Sequence, residues 1–187
     1  MDLQTAYQKA INFAGKHHAD QSIPGSNTSY MVHLSNVAME VLLANQHGAD
    51  RHGEGFDCEF AVQVALLHDL LEDTSTTFDE IKEEFGENIA KGVLALSKNE
   101  DLPVSQQILD SLSRIKLEPK EVWAVKLSDR ISNLQEPPAH WDENKIIDYH
   151  KMAGTILLEL KGGHAYLEKR LQQKIIDYQA YMPVVGS

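Results

Sequence analysis

The stretch "ALLHDLLEDT", residues 65–74, sets four groups able to bind a metal ion or move a proton into a run of alanines and leucines: His68, Asp69, Glu72 and Asp73. At about 100° per residue in one helix the four share an arc of about 140°. Leucines and Val64 fill the rest of the circle. Ala61 and Ala65 occupy the polar arc one and two turns earlier, where small side chains would leave room beside the carboxylates. Three acids on such a helix are costly to bury unpaired, and a divalent cation removes that cost. Imidazole nitrogen together with carboxylate oxygen suits Mn²⁺, Fe²⁺, Co²⁺ or Zn²⁺. For Asp73 a plainer reading is open, an acidic turn in "EDTSTT" ahead of the next helix. For His68 and Asp69, deep in "VALLHDLL", that reading is poor.

A site for one ion needs further ligands, and two other segments can supply them. "YMVHLSNVAMEVL" puts His33 near the start of an apolar helix, where it is either a satisfied core histidine or a ligand. In "VWAVKLSDRISNL", Asp129 sits among Trp123, Val125, Leu127 and Ile131, with Lys126 one turn back and Asn133 one turn on. An acid in such surroundings demands a partner. Arg130 is one candidate, yet at about 100° from Asp129 it points away.

The elements that must position these groups are read from helical periodicity, since alternating strand patterns are nearly absent. Helices are predicted over 3–18, 31–46 and 57–72. Thr77 with Glu80 forms a capping box that opens a short helix closed by Gly86, and another helix follows to about Ser97. Pro103 and Pro119 suit the starts of the next two. The last two span about 142–160 and 163–181, with "KGG" between them. Residues 20–29 and 47–55 read as polar, glycine-punctuated loops. The expected architecture is a single all-α domain over residues 1–187, a bundle of eight to nine helices.

In order and spacing, "AINFAGKHHADQ", "YMVH", "ALLHDLLEDT", "TFDEIKEEFGENIAKGVLALSK" and "KLSDRISNL" resemble the HD-domain metal-dependent phosphohydrolases. The likeness is closest to the hydrolase domain of RelA/SpoT-type enzymes and the small alarmone hydrolases, over roughly residues 6–160, with Trp141 and Tyr149 near its end. That resemblance implies an HD-type helical bundle in which His33, His68, Asp69 and Asp129 hold one Mn²⁺, with Fe²⁺, Co²⁺ and Zn²⁺ as alternatives. It implies that Glu72 and Asp73 position and activate the attacking water, and that Asn133, with Lys126 and Tyr149, contacts substrate. The implied reaction removes the 3′-pyrophosphate of (p)ppGpp or a related alarmone nucleotide. One departure stands out. The family shows a basic pair after the position of Gln21, whereas here Ser22 and Ile23 follow, and no Lys or Arg occurs from Asp20 to Asp50.

Composition narrows the function classes. With 17 basic against 28 acidic residues and a net charge of −11, the chain repels a nucleic-acid backbone, so a small-molecule nucleotide is the expected partner. No apolar run approaches the roughly 20 residues a membrane span needs. Cys58 is the only cysteine, which fits a reducing compartment, and a cytoplasmic location is expected. Monomer and homodimer are both open. Two other readings compete: an HD-domain nucleotidase or phosphomonoesterase acting on another phosphate ester, and a non-catalytic nucleotide sensor. The sensor predicts a broken element among the site positions, and none is broken.

Overall fold

Helix α1 (Leu3–His17) is capped by Asp2, whose carboxylate accepts from Thr5 N at 3.1 Å. The same device, an N-cap oxygen satisfying an orphan N–H of the first turn, recurs along the chain. Asp57 caps α3 (Cys58–Leu67), and Asp142 caps α9 (Glu143–Glu159). Thr77 and Glu80 form the reciprocal box at α5 (Phe78–Phe85), with bonds of 2.7 and 3.3 Å. Gly86, at φ 93°, turns the chain directly from α5 into α6 (Glu87–Leu96), a conformation with little cost only for glycine. Pro103 and Pro119 stand one residue ahead of α7 (Val104–Ile115) and α8 (Lys120–Asn133).

The computed structural model describes residues 2–47 and 55–183. Most of the 47–55 loop, with His52, and the final residues of the chain lie outside the described part. Among the described residues the remaining helices are α2 (Met31–His47), α4 (Leu70–Asp73) and α10 (Ala165–Tyr178), followed by a 3₁₀ turn at Gln179–Tyr181. The all-α class is as expected. Every predicted helix is present, and the count rises to ten because the helix expected over 57–72 is in two pieces, α3 and α4. The only β pairing among the described residues is one bridge, Ser22 to Ser29, which ties the loop between α1 and α2. None of the described helices is long and apolar enough to cross a membrane.

Helix α3 is the centre of the packing. Ala61, Val62, Val64, Ala65, Leu66 and Leu67 are all fully buried, as expected for a helix with a wide apolar face. It is flanked by α1, α2, α6 and α8. The buried alanines of α1, Ala6, Ala10 and Ala14, let that helix come close. Ala61 and Ala65 are part of the same core, so they do not provide the open space beside the carboxylates that their place on the helix suggests. That space lies instead between α4, α7, α8 and α9.

Candidate metal centre

The break between α3 and α4 falls at His68 and Asp69. The Ala65 carbonyl, which a continuous helix would offer to the Asp69 N–H, takes the ring N–H of His68 at 2.8 Å. Asp69 sits at φ −97°, ψ 0°, in the sparsely populated bridge region where many site residues are found. The bond to Ala65 fixes the tautomer: Nδ1 carries the proton, so in the neutral ring Nε2 presents only a lone pair.

That lone pair meets other acceptors. His68 Nε2 lies 2.9 Å from Asp69 Oδ2 and 3.8 Å from Asp129 Oδ1, and it is buried without a hydrogen-bond partner. His33, in the first turn of α2, brings its Nε2 to 3.4 Å from Asp69 Oδ2 and 3.6 Å from Asp129 Oδ1. Its other nitrogen is 3.3 Å from the Ser132 hydroxyl of α8. Ligand atoms of His33, His68 and Asp129 all lie within 4.8 Å of one another. Asp69 touches both imidazoles with the oxygen that also accepts from Tyr30 Oη at 2.6 Å, so it stands at the edge of the cluster. Two imidazole nitrogens and two carboxylates aimed at one point repel unless a cation lies among them, and this donor set is the one Mn²⁺, Fe²⁺, Co²⁺ and Zn²⁺ accept.

The electrostatics carry the same message. Burial opposes charge on Asp69, but the pull of the His68 and His33 rings outweighs it and holds the carboxyl well below its ordinary range. Asp129 is likewise held well below: burial is overcome by the Lys126 ammonium, 3.0 Å away, and by His68. His68 shows the converse. Burial disfavours its cation, yet Asp69 and Asp129 raise it well above the ordinary imidazole value. The carboxylates therefore attract positive charge to this point.

Around the cluster the remaining site residues take definite places. Asn133 donates from Nδ2 to Asp129 Oδ1 at 2.5 Å while Lys126 holds Oδ2, so Asp129 is clasped from both sides along α8. Both clasping residues line a cavity of about 320 Å³ that also takes in Asp69, Glu72, Asp73 and Tyr149. Glu72 is fixed by Lys98, which gives its backbone N–H to one carboxylate oxygen at 2.7 Å and its ammonium to the other at 2.6 Å. Asp73 is exposed at the mouth. Partial desolvation and the neighbouring Asp69 raise its pKa, the opposite of Asp69 itself.

Several contributors escape a reading of the sequence alone. Lys98 lies beyond the end of α6, and only the fold brings it 26 positions back to Glu72. Tyr30, three residues before His33, reaches Asp69. His18 and Gln21, spaced as in the "AINFAGKHHADQ" segment, bond each other at 2.6 Å, and Gln21 donates to the Asp73 carbonyl, bracing the start of the site. Arg130 does not pair with Asp129. It turns toward α9 and lays its guanidinium over the Tyr149 ring, 4.3 Å from the centroid. Burial pushes the Tyr149 hydroxyl up to about 12, against the pull of Arg130. Trp141 meets the same ring edge-on at 5.0 Å. A larger cavity of about 590 Å³ lies between His47, Phe56, Lys120 and the start of α10, but the described residues there include no such ligand cluster.

The HD domain family model matches residues 10–151, a span that contains every residue of the cluster. The chain belongs to the HD domain family. Among curated relatives, guanosine-3′,5′-bis(diphosphate) 3′-pyrophosphohydrolase MESH1 of Danio rerio is 29% identical over 174 residues, covering 90% of this chain and 92% of that protein. The MESH1 of Homo sapiens is 27% identical over 169 residues, 88% of this chain and 89% of that protein. The solved structure of a metazoan ortholog of SpoT that hydrolyzes ppGpp superposes with a TM-score of 0.77 at 22% identity, over 92% of this chain and 94% of that one. The HD-type helical fold expected from the motifs is therefore the fold found.

Proposed function

We propose that this HD domain protein is a metal-dependent phosphohydrolase that releases pyrophosphate from the 3′ position of (p)ppGpp or a closely related nucleotide. The observation that carries the proposal is the convergence of His33, His68, Asp69 and Asp129, of which the two carboxylates line a cavity together with Glu72 and Asp73. The MESH1 names of relatives matched over nine-tenths of the chain support the substrate class. In this reading one domain spans the chain, the protein works on a small nucleotide in the cytoplasm, and the ion held in the cell is Mn²⁺.

His33, His68, Asp69 and Asp129 would hold the ion. When bound, such an ion lowers the pKa of water toward neutrality and offsets charge on a phosphate oxygen. The protein's own groups do the rest. Asp73, with its raised pKa and exposed position, accepts the proton of the attacking water as that oxygen joins phosphorus. Glu72, locked by Lys98, keeps the water in line; the bond from phosphorus to the 3′ oxygen breaks, and Asp73 passes the proton it took to that oxygen, which leaves as the 3′ hydroxyl of the nucleotide product. Asn133 and Lys126 keep Asp129 aimed inward.

The test is incubation of purified protein with Mn²⁺ and a panel of guanine and adenine nucleotides bearing a 3′-pyrophosphate. Pyrophosphate release from at least one of them is the expected result, and no release from any overturns the proposal. The panel includes adenine because the loop bordering the site, from Asp20 to Tyr30, has no Lys or Arg. Orthophosphate as the sole product would point instead to a phosphomonoesterase.

A further inference from the structure

Three cations line the cavity beside the candidate metal centre, and two of them are spent. Lys98 is bound to Glu72 and Lys126 to Asp129. The third, Arg130, is only 6% exposed, yet no carboxylate answers it: Nε and Nη1 have no hydrogen-bond partner, and Nη2 finds only Met152 Sδ at 3.5 Å. A buried guanidinium held this way is expensive, since its donors have left water without equivalent acceptors. The Tyr149 ring recovers a part of that cost and fixes the plane of the fork.

A second cavity of about 310 Å³ adjoins the first, sharing Tyr30, Asp73 and Asn133. It is bordered by Ile23, Pro24 and Pro138, and its lining includes His33 but no Lys or Arg. Positive charge is thus confined to one side of the cluster, next to Asp129. A planar fork of unsatisfied donors beside a cluster that attracts cations matches one ligand chemistry, a polyanion with paired oxygens.

We infer that Arg130, stacked on Tyr149, is the subsite for the pyrophosphate group, and that the nucleoside lies on the cation-free side toward Ile23 and Pro138. Arg130 then supplies the phosphate-binding charge that the loop after Gln21 lacks. The identity of the anion rests on the phosphohydrolase reading above; the presence of an anion subsite at Arg130 does not.

The experiment is calorimetric titration of inorganic pyrophosphate into the purified protein in buffer without added metal, for wild type, R130Q and R130K, with melting temperatures recorded. Loss of a bidentate charge-assisted contact weakens binding by about tenfold to a hundredfold in R130Q. R130K, which keeps the charge but not the fork, loses several-fold. Wild-type affinity in a folded R130Q overturns the subsite, because a stacking role with Tyr149 alone would shift the melting temperature and leave pyrophosphate binding unchanged. Should R130Q fail to fold, R130K decides: a several-fold loss supports the subsite and unchanged binding overturns it. A protein that binds pyrophosphate through Arg130 but turns over no 3′-pyrophosphorylated nucleotide sinks the hydrolase reading and leaves the subsite standing. Turnover with KM unmoved in R130Q does the reverse.

Discussion

His68 and Asp69 are adjacent in sequence, and the bond from the His68 ring to the Ala65 carbonyl turns its free nitrogen to within 2.9 Å of the Asp69 carboxylate. Two neighbours on an ideal helix would diverge by about 100°; here the break between α3 and α4 lets both face one point. The structure spends a regular helical turn to aim two ligands.

The first prediction follows from that arrangement. An ion that binds the folded protein and not the unfolded chain stabilises it by about 2.7 kcal/mol at a hundredfold excess over its dissociation constant. Adding Mn²⁺ to metal-free protein should raise the melting temperature by several degrees, and EDTA should reverse it. H68Q and D129N should abolish the rise. A Mn²⁺-induced shift in D129N equal to that of wild type would show that the ion binds elsewhere.

Glu72 and Lys98 give a second. Their pair is partly exposed, so K98M should cost no more than about 1 kcal/mol of stability. The same change releases one carboxylate oxygen of Glu72, while the backbone N–H of residue 98 still holds the other. Turnover should therefore fall in K98M, and E72Q, which alters the group that aligns the water, should lower kcat by about 10²-fold. Equal, small effects of both variants on kcat would remove Glu72 from the reaction.

The pH profile supplies a third. Desolvation and Asp69 raise the pKa of Asp73, and a base must be deprotonated to act. Activity should fall as pH drops through that raised value, so the acid limb of kcat/KM lies above the ordinary carboxylate range of about 4. D73N should lower kcat and remove the limb from whatever activity is left. An unshifted limb in D73N would assign it to another group.

Much of this was legible in the residues themselves. Apolar periodicity, one capping box and two helix-starting prolines located the helices apart from the division of α3 from α4, and the cost of burying Asp69 and Asp129 marked them before any contact was known. What stayed hidden depends on tertiary approach or on a local departure from ideal geometry. The break at His68 comes from a side chain competing for a backbone acceptor, which periodicity does not encode. Arg130 pointed away from Asp129 as its spacing requires, but the helix it turns toward brings Tyr149 and the cavity with it. Ala61 and Ala65 looked like room for a ligand and are core, because α1, α2, α6 and α8 pack around α3.

Two glycines give a last prediction about the frame that carries Lys98. A Cβ on Gly92 in α6 would stand 3.1 Å from Val64 Cγ2 and 3.2 Å from Val122 Cγ2, side chains of α3 and α8 that are fully buried. Valine is stiff at χ1, so neither methyl can swing aside. G92A gains about 0.8–1 kcal/mol of helix propensity and loses about 1–3 kcal/mol to overpacking, a net destabilisation. Gly154 in α9 has nothing within 4 Å of its added Cβ, so G154A keeps the propensity gain and should stabilise by about 0.5–1 kcal/mol. Urea unfolding of the two variants should move the midpoint in opposite directions. Because α6 leads into the Lys98 that holds Glu72, G92A should also lower kcat, whereas G154A should leave it unchanged.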